Sequence, residues 1–312
     1  MVATTRAQLG GANVHHPDFQ SALLEAAEQA GVQVRRGARV AGITPSAASA
    51  PVTLAVADAA AVQHLTARLA LIADGRSSQL RRALGITMSA ELSPLCTTGV
   101  LLEGAHCNER AVETFYPDEF GALCLVLPMA HGRTRLYYVA ARSAAVSGWM
   151  GHAQLPALRE RCVALGVPHA WFANAQPIGP LATFDTTCFS LQDAALPRGI
   201  TLLGDAAGNV DPAWGCGMSL ALRDARHLLE AWLECGEWQH AADMYIARRR
   251  AYHTALLRTE TWLRRILFTL GPEGDAIRAR AFSLLPSLGV DLTGLGPDGR
   301  SDDQTERELF GS

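Results

Sequence analysis
Two aspartates stand where apolar runs end in glycine-rich chain. In "LALIADGRSSQLRRALGI" (69–86) the run stops at Asp74-Gly75, and a helix is expected two or three residues on, with Ser77 or Ser78 as its N-cap. Gly75 permits a tight turn beside a ligand, and a helix start offers unpaired N–H groups to an anion. Asp74 suits sugar hydroxyls, while Arg76 or Arg81 suits phosphate. In "GITLLGDAAGNVDPAWGCGMSLALRDA" (199–225) the run ends at Gly204-Asp205, and a carboxylate there suits a ribose-like hydroxyl. Pro212 then fixes a turn, and Gly215 and Gly217 let a flat ligand approach the backbone. The N–H groups of Gly217 and Met218 open a helix and face partial negative charge. An ordinary strand–turn–helix accounts for the first stretch about equally well; a glycine-rich helix cap explains fewer residues of the second.

Other reactive residue types give little. All 27 basic residues are arginine, which excludes lysine chemistry. The seven cysteines are scattered without a CxxC pair, as expected of reduced thiols in a cytoplasmic protein. No histidine spacing fits a metal, His15-His16 included, so no metal site is expected. Trp214 is as readily a core residue as a ligand contact. Cys216 is explained sterically by its flanking glycines. Tyr137, Tyr138 and Phe115 are pocket candidates whose default is core packing. The literal GxGxxG at Gly294–Gly299 has only 13 residues after it, too few for a helix and a second strand.

These residues must be held by elements that the pattern predicts. A helix is expected over 17–30, with Phe19, Leu23, Ala26, Ala27 and Ala30 on one face. Strands are expected over 32–43, 52–57 and 67–75, the last buried on both faces. From 87 to 190 short alternating runs predict a sheet with one solvated face, interrupted by one helix around 153–164. Long helices are expected over 217–235 and 238–270, then a loose tail after 290. The second long helix carries Leu256, Leu263, Leu267 and Leu270 on one side and arginines on the other; membrane contact by it is expected to be unlikely. No apolar run reaches the ~18 residues of a membrane span. A net charge of −3 without a basic cluster gives no sign of a nucleic-acid partner. At 312 residues, 49% of them apolar, the chain exceeds one ordinary core.

Together the two aspartate stretches resemble the second and third fingerprints of FAD-dependent monooxygenases of the para-hydroxybenzoate hydroxylase type. Asp74, Gly75, Ser78, Leu80 and Arg81 match the second. Gly204, Asp205, Ala206, Ala207, Pro212, Gly215, Gly217, Asp224 and Ala225 match the third. The likeness covers about residues 14 to 260. It departs at Gly208, where the family usually has His, and at Ser219, where Asn is common. It implies an α/β fold with an α+β insertion: an incomplete Rossmann-like FAD domain (1–86 and 191–235), an inserted mixed β-sheet substrate domain (87–190), and C-terminal helices with a loose tail (236–312). The family's opening strand and GxGxxG belong roughly 100 residues before "VHHPDF", where this chain has 14, so a member truncated by its first βαβ unit is expected.

The resemblance also implies chemistry. Asp205 holds the ribityl chain, Gly217 and Met218 face the N1–C2=O end of the flavin, and Asp74 and Arg76 serve the pyrophosphate side. Gly75, Gly204, Pro212 and Gly215 complete the cofactor-binding set. No catalytic side chain is evident; His16 stands nearest to a family position that reaches toward the flavin, but an exposed histidine is the plainer expectation. The implied activity is an NAD(P)H- and O2-using monooxygenase of an aromatic or polycyclic small molecule. A flavin-dependent halogenase or reductase is the alternative, although the halogenase WxWxIP motif is missing. A non-catalytic remnant, or half of a split flavoprotein, is the third reading.

Overall fold
Apolar runs punctuated by glycine build the unit that carries both aspartate turns. In the computed structural model, residues 12–47, 50–58, 61–144, 149–192, 195–284, 295 and 300–311 are described, and Gly294–Gly299 lies outside them apart from Leu295. Two units emerge, one formed by 31–92 with 187–254, the other by 1–30, 93–186 and 255–312.

In the first unit, β1 (Arg39–Thr44), β2 (Val52–Ala57) and β3 (Val62–Ala67) form an antiparallel meander. Strand β1 is shorter than the expected 32–43, because Gly37 turns the chain at φ 75° and leaves Val32 exposed. Strand β3 escaped the sequence reading, since its Val-Gln-His-Leu-Thr-Ala run is mostly exposed and carries weak alternation. Strand β4 is only Ala70–Ile72, and it pairs in parallel with β13 (Ile200–Leu202). The expectation that it is buried on both faces is corrected: Ala70 and Ile72 join Val52, Ile200 and Leu202 in a core, while Leu71 is 49% exposed on the other face. Helix α2 (Gln79–Ala83) follows, capped by Ser78. Strands β5 (Met88–Leu92) and β12 (Thr187–Leu191) pair antiparallel. Helix α4 spans Gly217–Cys235, as the pattern predicts, and ends at Gly236 in the left-handed region.

The second unit is built on β6 (Leu95–Glu103), β7 (Glu113–Phe115), β8 (Ala122–Pro128), β9 (Arg133–Ala141), β10 (Gln176–Pro177) and β11 (Ala182–Thr183). Every pairing among them is antiparallel, so this sheet is not itself mixed; among the named strands, parallel pairing is that of β4 with β13. The expected solvated face is corrected for the central strand β6, where Leu95 to Leu102 are all buried, while β8 and β9 largely keep the alternation. On the face opposite the main core, Thr97, Gly99, Leu101, Leu123 and Val139 are buried toward the middle of the strands, while Arg133, Arg135 and Glu103 at one end are not. Helix α3 (Leu155–Ala164) packs Leu158 and Cys162 against Cys96, Val100 and Tyr138. Tyr138 and Phe115 thus serve the core, and Tyr137 lies over Gly99, opposite it in the ladder.

Helix α1 (His16–Gln29) buries none of its residues, contrary to the expected apolar face. It is tied instead by polar contacts: Arg133 bonds His15 Nδ1 and Asp18, each at 3.0 Å. Helix α5 (Trp238–Phe268) gives its first half to the first unit and its second half to the other. Its leucines are not its buried stripe: Leu256, Leu263 and Leu267 are half-buried, whereas Tyr245, Arg249, Tyr252, His253, Trp262 and Ile266 are buried. The tail expected to be loose contains a helix, α7 (Asp303–Phe310), after α6 (Gly271–Ser283). Asp302 caps α7 through the N–H and hydroxyl of Thr305, and Leu309 and Phe310 pack with Trp262 and Ile277. Among the described residues no helix is long and apolar enough to cross a membrane.

Candidate functional site
Parallel pairing decides where the two aspartate turns lie. Ile72 is opposite Leu202, so β4 and β13 end side by side and deliver Asp74-Gly75 and Gly204-Asp205 to one sheet edge. Ligands of open α/β sheets bind at this carboxyl edge. Gly75 adopts φ 81° and Gly204 φ 56°, the left-handed region that glycine occupies without strain. Asp74 is exposed, Arg76 is half-buried, and the Arg76 guanidinium lies 5.9 Å from the centre of the Phe189 ring.

Arg81 has another task than meeting a phosphate. It is 4% exposed, and it donates to the carbonyls of Ala206 (2.7 Å) and Arg76 (3.0 Å). It therefore stitches the first turn to the second. Burial pulls its pKa below the usual arginine value.

The segment after Asp205 is held from beneath by α5. Arg249 donates to the carbonyls of Ala207 (2.9 Å) and Gly208 (2.8 Å), and its Nε meets Asp224 Oδ2 at 3.0 Å. Asp224, on α4 and fully buried, also accepts from the Gly204 N–H at 2.9 Å and from the Tyr252 hydroxyl in a short bond. Tyr245 donates to Leu202 O, and Asn209 accepts from Phe189 N and donates to Thr187 O. Burial, reinforced by the Asp224 charge, pushes the Tyr252 and Tyr245 hydroxyls well above the usual tyrosine range. Burial raises the Asp205 pKa as well, against the opposing charges of Arg76 and Arg249.

Gly208 explains the departure from the family's His. Its φ is 130°, and a Cβ there stands 2.7 Å from the Phe189 carbonyl oxygen, so this backbone admits no side chain. Arg249, Tyr252 and His253 were missed by sequence reasoning. Their spacing, four, seven and eight residues after Tyr245, was the available signal: polar groups sharing one face of a long helix.

Downstream, Asp211 accepts from Ala213 N and shapes the Pro212–Trp214 turn, with Pro212 exposed and Trp214 half-buried. Gly215 follows at φ 68°, and α4 starts at Gly217 with no side chain capping its N–H groups. A Cβ placed at Gly75, Gly215 or Gly217 meets nothing within 4 Å. Gly217 is the informative one, because its φ is ordinary; neither conformation nor packing inside the protein calls for glycine there.

A family model for the FAD binding domain matches residues 12–259. The chain belongs to that family. No curated protein matches the sequence. Among solved structures, the chain is similar to a triple mutant of the flavin-dependent brominase Bmp2 (15% identity, TM-score 0.66, 88% of this chain and 70% of that one). It is similar to the probable FAD-dependent monooxygenase pqsL of Pseudomonas aeruginosa (22%, 0.64, 80% and 69%). It is also similar to the anhydrotetracycline hydroxylase OxyS of Streptomyces rimosus (18%, 0.65, 86% and 52%). The chain thus spans 52% to 70% of these neighbours' lengths. These likenesses are of fold, and the matched family is that of the FAD binding domain.

The residues fit a flavin on two counts. The side-chain-free surface at Gly215 and Gly217 leaves room for a flat ring, and the 19-residue helix that starts there without a side-chain cap is tied through Asp224 to the Gly204 amide. His16 is exposed at the first turn of α1, and His15 is engaged with Asp18 and Arg133. Among the described residues no three His, Cys, Asp or Glu side chains gather as a metal site.

Proposed function
We propose that this chain forms the flavin-ring and ribityl portion of an FAD-dependent monooxygenase that uses NAD(P)H and O2 to hydroxylate an aromatic or polycyclic organic molecule in the cytoplasm. The observation that carries the reading is Gly217: a glycine that neither conformation nor packing calls for, opening the helix whose Asp224 takes the Gly204 N–H at a parallel strand end. FAD, when bound, supplies the redox chemistry. The chain supplies position and charge. The Asp205 carboxylate would accept hydrogen bonds from ribityl hydroxyls, and the Gly217 and Met218 N–H groups would hold the N1–C2=O end of the ring and favour negative charge there. Asp74 and Arg76 attend the pyrophosphate side, with Arg76 stacked on Phe189. Gly75, Gly204, Pro212 and Gly215 shape the backbone around them. The sheet-rich segment 87–190 supplies the substrate side.

The test is FAD titration followed by flavin fluorescence, then NADPH oxidation measured across a panel of phenols and polycyclic aromatics. Saturable FAD binding with substrate-stimulated, product-forming NADPH consumption supports the reading. Absence of stimulation across the panel counts against hydroxylation, and absence of flavin binding favours the non-catalytic remnant. A second reading is halogenation or reduction on the same fold, drawing on the likeness to the flavin-dependent brominase Bmp2. Product formation that requires added bromide or chloride decides for halogenation.

A further inference from the structure
Helix α4 carries two apolar faces, where a surface helix ordinarily carries one. Leu220, Asp224, Leu228 and Ala231 are buried on the first. On the opposite side Leu222, Leu229 and Leu233 are 48%, 53% and 69% exposed, and Ala225 is exposed beside them. Exposed leucines scattered singly need no explanation. These three are not scattered. With Arg226 they occupy 222, 226, 229 and 233, the 4-3-4 spacing of d-a-d-a positions in a coiled coil, and so form one straight seam.

A 4-3-4 spacing reads the same in both directions. Two copies of the seam laid antiparallel about a twofold axis therefore stay in register: Leu222 of one copy meets Leu233 of the other, and Arg226 meets Leu229. A twofold contact requires a self-complementary surface of this kind. The charges agree with it. Arg226, with its side chain 78% exposed, bonds Glu230 of its own helix at 2.7 Å. The antiparallel register sets Glu230 of the second copy opposite Ala225, one residue from Arg226. Two ion pairs then interleave as four charges of alternating sign, and each arginine stem covers a leucine. The same register sets residue 219 opposite Gly236, where α4 ends, so Gly217 and Met218 stay uncovered.

We infer that α4 is the contact of a twofold homodimer, in which a second copy of this chain lays its own α4 antiparallel along Leu222, Arg226, Leu229 and Leu233. At about 1.5 Å per residue the seam is about 16 Å long. Two helices touching over that length bury less than the roughly 1,000 Å² of a stable interface, so the dimer is weak and dissociates in the micromolar range.

The test is sedimentation velocity of the purified chain over about 1–200 µM. A monomer–dimer equilibrium is expected. L229E is expected to weaken it at least tenfold, and L270E, at an exposed leucine elsewhere, to leave it unchanged. L222E and L233R should each weaken it. The double variant L222E/L233R should regain it, because the introduced carboxylate then faces the introduced guanidinium of the second copy; a parallel pair would be driven apart. E230R should weaken association, and R226E/E230R, which reverses both ion pairs, should restore it. All these side chains lie at the surface, and equal melting temperatures verify that the variants fold. The inference is overturned if the chain is monomeric throughout the range, which leaves the seam to a helix of a different polypeptide. It is overturned equally if L229E associates as the parent does, or if L222E/L233R associates no better than its single variants. None of these readings involves flavin, so the dimer and the proposed function fail independently.

Discussion

Asp224 and Arg249 form a buried ion pair, Oδ2 to Nε at 3.0 Å with side chains 0% and 3% exposed, and between them they hold both ends of the Gly204–Gly208 turn. The carboxylate takes the Gly204 N–H while the guanidinium takes the Gly208 carbonyl, so the pair works as a brace more than as a stabilising charge contact. Breaking such a pair strands a buried charge and costs about 3–5 kcal/mol. R249M and D224L are each expected to lower stability by that order in urea denaturation. The double variant is expected to lose less than the sum, because no lone charge remains. R249K keeps the charge but not the fork and should weaken flavin binding more than its stability loss explains.

Gly217 and Gly208 make opposite predictions from the same substitution. At Gly217 a methyl group enters open space on a helix, so G217A should keep or slightly raise the melting temperature. It should nonetheless weaken flavin binding at least tenfold, because it fills the approach to the ring. G208A meets a backbone oxygen at 2.7 Å in a left-handed conformation, and should destabilise by about 2 kcal/mol or more. Equal flavin affinity in G217A and the parent would sink the assigned position of the ring.

His253 gives a pH signature. Burial, with the Arg249 charge nearby, lowers its pKa from 6.5 to about 4, and its ring nitrogen meets Asn209 O at 3.4 Å. The folded value lies below the unfolded one, so the unfolded chain takes up this proton first as pH falls. The associated stability is complete above about pH 6.5 and is lost between there and pH 4, about 2 kcal/mol by pH 5. Urea unfolding of the parent and H253Q at pH 7.5 and pH 5 isolates it: the variant should lose about 2 kcal/mol less on acidification.

The terminal helix α7 is also a packing element. Phe310 is 7% exposed and lies under Arg265 at 3.7 Å from the ring centre, with Leu309 fully buried beside it. F310A should cost about 3 kcal/mol, read as a lower urea midpoint, with flavin affinity little changed.

What the sequence disclosed follows from how local each signal is. Helix α4 was legible to the residue because Gly217 and Gly236 bound an amphipathic run. The two turns were legible because glycine, aspartate and apolar strand residues are contiguous there. The brace was not, because Arg81, Asp224, Arg249 and Tyr252 meet only through tertiary packing, across separations of up to 125 residues. Strand β3 hid behind polar residues on an exposed ribbon, and the burial of both faces of β6 hid behind threonine and glycine, which are small enough to pack without announcing it. Gly208 looked like a lost histidine; its geometry makes it a position that only glycine fills.

The turn from Gly204 to Asn209 has its carbonyls engaged already, together with the amides of Gly204, Ala207, Gly208 and Asn209, by Arg81, by Arg249, by Asp224, by strand β12 and within the turn itself. A ligand arriving beside Asp205 therefore meets a backbone that has little disorder left to lose. Its association should show a small conformational entropy loss, and an on-rate set by diffusion and access rather than by loop closure.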